Sequence, residues 1–346
     1  SAPIPNVPVR IVLEPSKNKK SDDTERIQKA LDMVGRYPAD DNDIRGAVLL
    51  KAGTYRISSP LTISQSGIVL KGEGDGHESV THHSKPLGPD NWFDYAHSEK
   101  EEKGVTKLVA TWISDSYDKN TAIITIGGGK AKDVWSTEIT DQYVPVNAVK
   151  IHVKDVSGLE AGDVIRIERA VNGAWAHDLR MGSITDAPGI LSENQWAENG
   201  KILPAYKGIS QERRIKAVLE DAIVLEEPLV DPLNMKYGIS RIYKTDCSSR
   251  VRNSGVENMM LMSRFDKNST STNSAYDKVY KFYDDESHAQ VGIKILNADD
   301  VWARRITTYH IDVAATVMSG TCRASIQDIN CLDPVSGTGG ERRYSF

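Results

Sequence analysis

The sequence predicts an all-β solenoid with a capping helix near its N-terminus and a small antiparallel β module inserted between coils. Three observations predict it: one short amphipathic helix early in the chain, many short β-rich runs, and a recurring pattern near the C-terminus. The helix is read from Asp22-Asp23-Thr24-Glu25-Arg26-Ile27-Gln28-Lys29-Ala30-Leu31, an N-cap and acidic first turn. Ile27, Ala30, Leu31 and Val34 then fall on one helical face.

The β-rich runs follow at once. Gly46-Ala47-Val48-Leu49-Leu50, Gly53-Thr54-Tyr55-Arg56-Ile57, Leu61-Thr62-Ile63 and Gly67-Ile68-Val69-Leu70-Lys71-Gly72 are separated by Gly, Pro and Ser, too closely for crossover helices. A polar, irregular stretch over about 75–105, containing His77, His82, His83, Trp92 and His97, reads as a long loop. Strands resume at Leu108-Val109-Ala110 and Ala122-Ile123-Ile124-Thr125-Ile126.

From about 148 the alternation is of the half-buried, antiparallel kind, in 149–153, 162–167, 214–218 and 222–225. The expected organisation is therefore 1–147 for the cap and first coils, 148–245 for the inserted module, and 246–346 for further coils. In the last part Val256, Val301 and Ala324 open similar runs, and Val301 and Ala324 are 23 residues apart. A coil of that length suits a three-sided β-helix, and the longer first interval reads as two coils.

Composition narrows the function. The chain has 346 residues, 39% of them hydrophobic, and no apolar run approaches the length of ~20 needed to cross a bilayer. Its net charge of −5 excludes the basic excess of a nucleic-acid binder. Cys247, Cys322 and Cys331 form no metal or redox pair and are expected to be buried thiols. The opening Ser1-Ala2-Pro3-Ile4-Pro5, with neither Met nor an apolar core, is expected of a secreted or periplasmic protein after signal removal. Arg342-Arg343-Tyr344-Ser345-Phe346 reads as the start of a strand, so more chain is expected beyond it.

The ordered features over 22–74, with a DDT-IQ-AL helix, a G-V-L/GTY-I strand pair and an L-G-G turn, resemble the N-terminus of the pectate-lyase-like superfamily. That resemblance implies a right-handed parallel β-helix and leaves lyases, hydrolases, epimerases and viral tailspikes open. Gly162-Asp163-Val164, Trp175-Ala176-His177-Asp178, the Pro228-Leu229-Val230-Asp231 turn, Val301-Trp302-Ala303-Arg304-Arg305, Cys331-Leu332-Asp333-Pro334-Val335-Ser336 and Arg342-Arg343-Tyr344 together resemble, over most of residues 150–346, a group of large exported β-helix proteins of polysaccharide-degrading bacteria. This implies a lyase acting on uronate-containing or sulfated polysaccharides such as fucoidan, and it transfers no catalytic residue.

In a β-helix the chemistry must sit on outward side chains and bordering loops. Arg304 and Arg305 are adjacent, so at least one points outward, and Tyr309 and His310 follow. β-Elimination of a uronic acid needs a cation on the C5 carboxylate, a base for the α-proton and an acid for the leaving oxygen. Arg304 or Arg305 would supply the first, and Tyr309, His310 or His177 the proton transfers. The competing reading pairs the arginines with Asp299, Asp300 or Asp328 of neighbouring coils.

Trp175, Asp178 and Arg180 flank His177 in a loop that could wall a groove or simply anchor itself. Arg342, Arg343 and Tyr344, 38 residues after the first arginine pair, are further candidate substrate contacts. Asp284-Asp285-Glu286 is a candidate calcium site and His288 a candidate contact, against the plain reading of a solvated loop. No other metal site is expected. A glycoside hydrolase is the alternative, needing two outward carboxylates, and a non-catalytic glycan-binding solenoid is the third reading. The expected partner is an acidic polysaccharide; the oligomeric state stays open.

Overall fold

The computed structural model describes residues 3–18, 20–76, 103–113, 121–179, 197–198, 201–202, 209–275 and 278–337. For 173, 176–177, 197–198, 201–202, 273–275 and 278–282 it describes the backbone alone. The chain divides into two compact units, 1–130 with 250–346, and 131–249.

The first unit is the right-handed parallel β-helix with its capping helix. The helix runs Thr24–Gly35 and buries Ile27, Ala30, Leu31 and Val34, the four residues its spacing selects. Asp22 accepts from the Thr24 N–H at 2.9 Å, while the Asp23 carboxylate reaches across to the Arg56 N–H. Those bonds tie the cap to the first coil.

Gly46–Leu50, Gly53–Ile57 and Leu61–Ile63 make the first coil; Ile68–Gly72, Thr106–Ala110 and Ala122–Gly127 make the second. In the third coil one strand, Gly255–Ser263, does the work of two. Its first half pairs in parallel with Ile68–Gly72 and its second half with Thr106–Ala110. Val291–Leu296 completes that coil, Ala298–Tyr309 and Val313–Val317 make the fourth, and Cys322–Leu332 opens the fifth.

The long strands bend where the chain turns from one face to the next. Asn258, Arg305 and Asp328 occupy the same rung position, and all three have left-handed φ, at 54°, 53° and 53°. Gly72 precedes them in the column; a Cβ there would lie 2.2 Å from the Asn258 carbonyl oxygen. The close approach therefore demands glycine.

The register corrects the repeat reading. Val256 pairs with Ala303, not Val301, and Ala303 with Ile326. The longer interval is one coil, lengthened by a hairpin of Thr270–Ala275 against Lys278–Tyr283.

Inward side chains form one continuous core, with Leu50, Ile57, Leu70, Leu108, Ile124, Leu261, Ile293, Ala303 and Ile306 fully buried. Each Leu or Ile so buried contributes roughly 1.5–3 kcal/mol, which no single coil could collect alone.

The second unit begins at Ala131. It therefore includes Lys132–Glu138, which pairs antiparallel with Arg241–Asp246 and has only Thr137 buried. With Val164–Arg169, Ile209–Val218, Ala222–Leu225 and Lys150–His152 these strands form a six-stranded sheet. Ile151, Ile165, Ile167, Ile215, Ile223 and Ile242 fill its own core. No disulfide joins the cysteines; Cys247 is buried, and Cys322 and Cys331 are half-buried. Among the described residues no helix is long and apolar enough to cross a membrane.

Candidate functional site

The column of left-handed bends borders a groove in the first unit with a volume of about 1040 Å³. Its walls come from successive coils. Glu73, Gly74, Asp75 and Gly76 follow the second coil's first strand, and Lys103, Gly104 and Val105 lead into its second. Asn258, Arg305 and Asp328 are the bends of the third, fourth and fifth coils, and Ile329 and Asn330 complete the lining. Neighbouring rungs stand roughly 4.8 Å apart, so these groups form a ladder along the solenoid axis.

Three of the charged groups have no partner. Arg305, Asp328 and Lys103 are exposed to the groove and, among the described residues, make no hydrogen bond or ion pair. Glu73 differs: the Lys51 ammonium, 2.7 Å away, and the Ala52 N–H, also at 2.7 Å, hold its carboxyl below its ordinary range. It is ionised and committed to the framework.

Arg305 is the informative member. Left-handed φ suits Gly, Asn and Asp, and costs a long side chain of the L series on the order of 1–2 kcal/mol. Arg323 is also left-handed, at φ 54°, but its guanidinium makes a two-point bridge to Asp300, at 2.6 and 2.9 Å. Arg305 has no such contact to offset the cost.

Its neighbour Arg304 points elsewhere. Its guanidinium lies 3.0 Å from Glu257, whose carboxylate is 1% exposed and also accepts from the Trp302 indole N–H at 2.7 Å. Lys71 approaches the other oxygen at 3.3 Å. Arg304 is therefore a structural ion-pair partner, and its carboxylate is Glu257, not Asp299, Asp300 or Asp328. Asp299 pairs with Arg250 and Arg252.

Tyr309 and His310 do not line this groove. Tyr309 is 1% exposed and packs with Val105, Val109, Met260 and Met262. His310 is buried too, its Nδ1 3.1 Å from the Ser263 carbonyl oxygen and its ring centred 4.6 Å from Phe265. Both are therefore withdrawn from solvent. In the second unit, Trp175 is buried with the Arg169 guanidinium 5.0 Å from its ring, and Asp178 bridges Lys236 and the Tyr237 hydroxyl. These are the contacts of a loop anchor. The His177 side chain, Arg180, Arg342, Arg343 and Tyr344 lie outside the described residues, as do His77, His82, His83, Trp92 and His97.

The acidic string is held by its own loop and by segments packed on it. Asp285 accepts from Ser287 N–H and Asp266 N–H, Asp284 from the Ser271 hydroxyl, and Glu286 from Gly337 N–H. A calcium ion there would have to displace those bonds. His288, fully buried, donates from Nδ1 to the Asp285 carbonyl at 2.8 Å and faces Asp312 at 3.8 Å. Burial pushes its pKa down, against the pull of Asp312 and Asp285.

Glu73, Asp75, Lys103, Asn258 and Asp328 escaped the sequence reading as site residues. One signal could have found two of them, Asn258 and Asp328. Moving the third-coil alignment by two residues puts Asn258, Arg305 and Asp328 in a single column.

No protein-family model matches the chain, and no curated protein sequence does. Solved structures similar to it include tailspike gp49 of Pseudomonas phage LKA1, at 10% identity and a TM-score of 0.42, covering 90% of this chain and 38% of that one. Tailspike gp61 of Pseudomonas phage phi297 gives 11%, 0.39, 90% and 42% on the same measures. The family 28 exopolygalacturonase of Yersinia enterocolitica gives 13%, 0.21, 90% and 42%. The chain thus spans about two fifths of the length of these proteins.

Proposed function

We propose that this protein cleaves an acidic polysaccharide in the corner groove, and that it does so by hydrolysis. The observation that carries the reading is the pair of oppositely charged groups on successive bends, Arg305 and Asp328, without a partner among the described residues, in a groove that Asp75 also lines. Hydrolysis of a glycosidic bond needs one carboxyl group to protonate the leaving oxygen and a second to activate water or attack the sugar. Asp328 and Asp75 are the two groove carboxylates that Lys51 does not hold. Arg305 would bind the substrate's own anionic group and fix the chain against them.

β-Elimination is the second reading, favoured by the unpaired guanidinium itself. Arg305 would neutralise a uronate carboxylate, and Lys103, in the same groove, is a group that could take or deliver a proton.

Product chemistry separates the two. Incubation with a panel of acidic polysaccharides, including pectate, alginate, ulvan and fucoidan, should release reducing ends without the ultraviolet absorbance of an unsaturated uronate. Asp328→Asn should slow that release by roughly 10²–10⁴-fold, the range for loss of a general acid or base. Absorbance rising together with reducing ends would favour elimination. Neither signal on any substrate would point to a solenoid that binds glycans without cutting them.

A further inference from the structure

We propose that Lys103 and Arg305 form two separate anion subsites, two coils apart, so that the groove selects a chain whose anionic groups are spaced along the solenoid axis. The inference rests on the reading of the groove as a glycan site and adds to it the direction and charge spacing of the ligand.

Lys103 stands three residues before the second coil's strand Thr106–Ala110, and Arg305 is the bend of the fourth coil, with the third coil's Asn258 between them. The strand that Lys103 leads into and the strand that carries Arg305 are two spacings apart, roughly 10 Å. Both side chains are exposed, both line the groove, and neither has a protein partner among the described residues. Among the described residues, Lys51 is spent on Glu73, Lys71 and Arg304 on Glu257, and Arg323 on Asp300.

The groove's acidic groups are Glu73, Asp75 and Asp328. Glu73 is neutralised by Lys51, and Asp328 lies one rung beyond Arg305. Asn258, uncharged, fills the rung between the two cations. A ligand with one anionic group would engage one cation and leave the other in water. A chain lying across the coils, with an anionic group opposite each, engages both. Asn258 then offers an amide to the uncharged stretch between them.

The test is a calorimetric titration of the full chain with uronic-acid oligomers, from the monomer to the hexamer, and with the same oligomers after reduction of their carboxyl groups. Lys103→Ala, Arg305→Asn and the double variant are compared with the parent protein. For the longer oligomers each single change should weaken binding roughly tenfold or more, the scale of one lost charge-assisted hydrogen bond, and the losses should multiply in the double variant. The monomer should respond to one substitution only. Losses that fail to multiply would mean one shared anion, and equal binding of the reduced oligomers would mean no anion subsite. Either result overturns the proposal, as does failure of every uronate oligomer to bind. Cleavage assayed on the same oligomers keeps the two ideas apart, because turnover that Asp328→Asn abolishes would stand even if the charge spacing were wrong.

Discussion

Arg304 and Arg305 are sequence neighbours with opposite circumstances. The extended strand puts the Arg304 side chain beside a buried carboxylate, and the left-handed bend turns Arg305 into the groove. Arg304→Ala should therefore act on stability. Removing one partner from a buried pair costs about 3 kcal/mol, and Lys71, which still faces Glu257, keeps the loss at or below that figure. Chemical denaturation should register it, with turnover per folded molecule unchanged. A drop in turnover without a drop in stability would return Arg304 to the site.

At the scale of elements, the bends carry both geometry and chemistry. His310 and Asp333 stack as another left-handed pair, at φ 60° and 52°, one residue past the paired Tyr309 and Leu332. Burial pushes the Asp333 carboxyl up to about 7. Because the folded state then holds a proton that the unfolded state releases near pH 4, Asp333 lowers stability progressively as pH rises from about 4 to about 7. Asp333→Asn, which also suits a left-handed bend, should flatten that part of a plot of Tm against pH. A plot with the same slope in the variant would show that Asp333 is not the titrating group.

Elements were the most legible part of the sequence. The helix face, the short strands and the antiparallel module each carry a local period of 3.6 or 2, and local periods survive in one sequence. The bends were not legible. A left-handed residue is a property of φ, and while Asn258 and Asp328 are ordinary occupants, Arg305 has no compositional mark. The hairpin 270–283 hid the column by lengthening one coil, and Lys132–Glu138 fell outside the expected module because its pairing partner lies about a hundred residues on.

On the scale of the molecule, the solenoid arranges groups in a row, as the proposed polymer-binding groove would require. Stacked coils repeat every few ångströms, so one position in the coil, varied from Gly72 to Asn258, Arg305 and Asp328, becomes a row of different groups along an axis. The core beneath tolerates this because its residues face inward, and the outward bend costs the core nothing. Arg305 departs most clearly from local preference: Asn would fit its backbone better, as it does one coil earlier.

The most direct test of the account is Arg305→Asn, measured for both thermal unfolding and polysaccharide cleavage. Relief of the left-handed strain should leave Tm equal or raise it, while turnover falls on the order of 10²-fold through loss of an electrostatic contact to the reacting chain. A lower Tm with turnover intact would mean that Arg305 serves the fold, and that the groove is not where this protein meets its substrate.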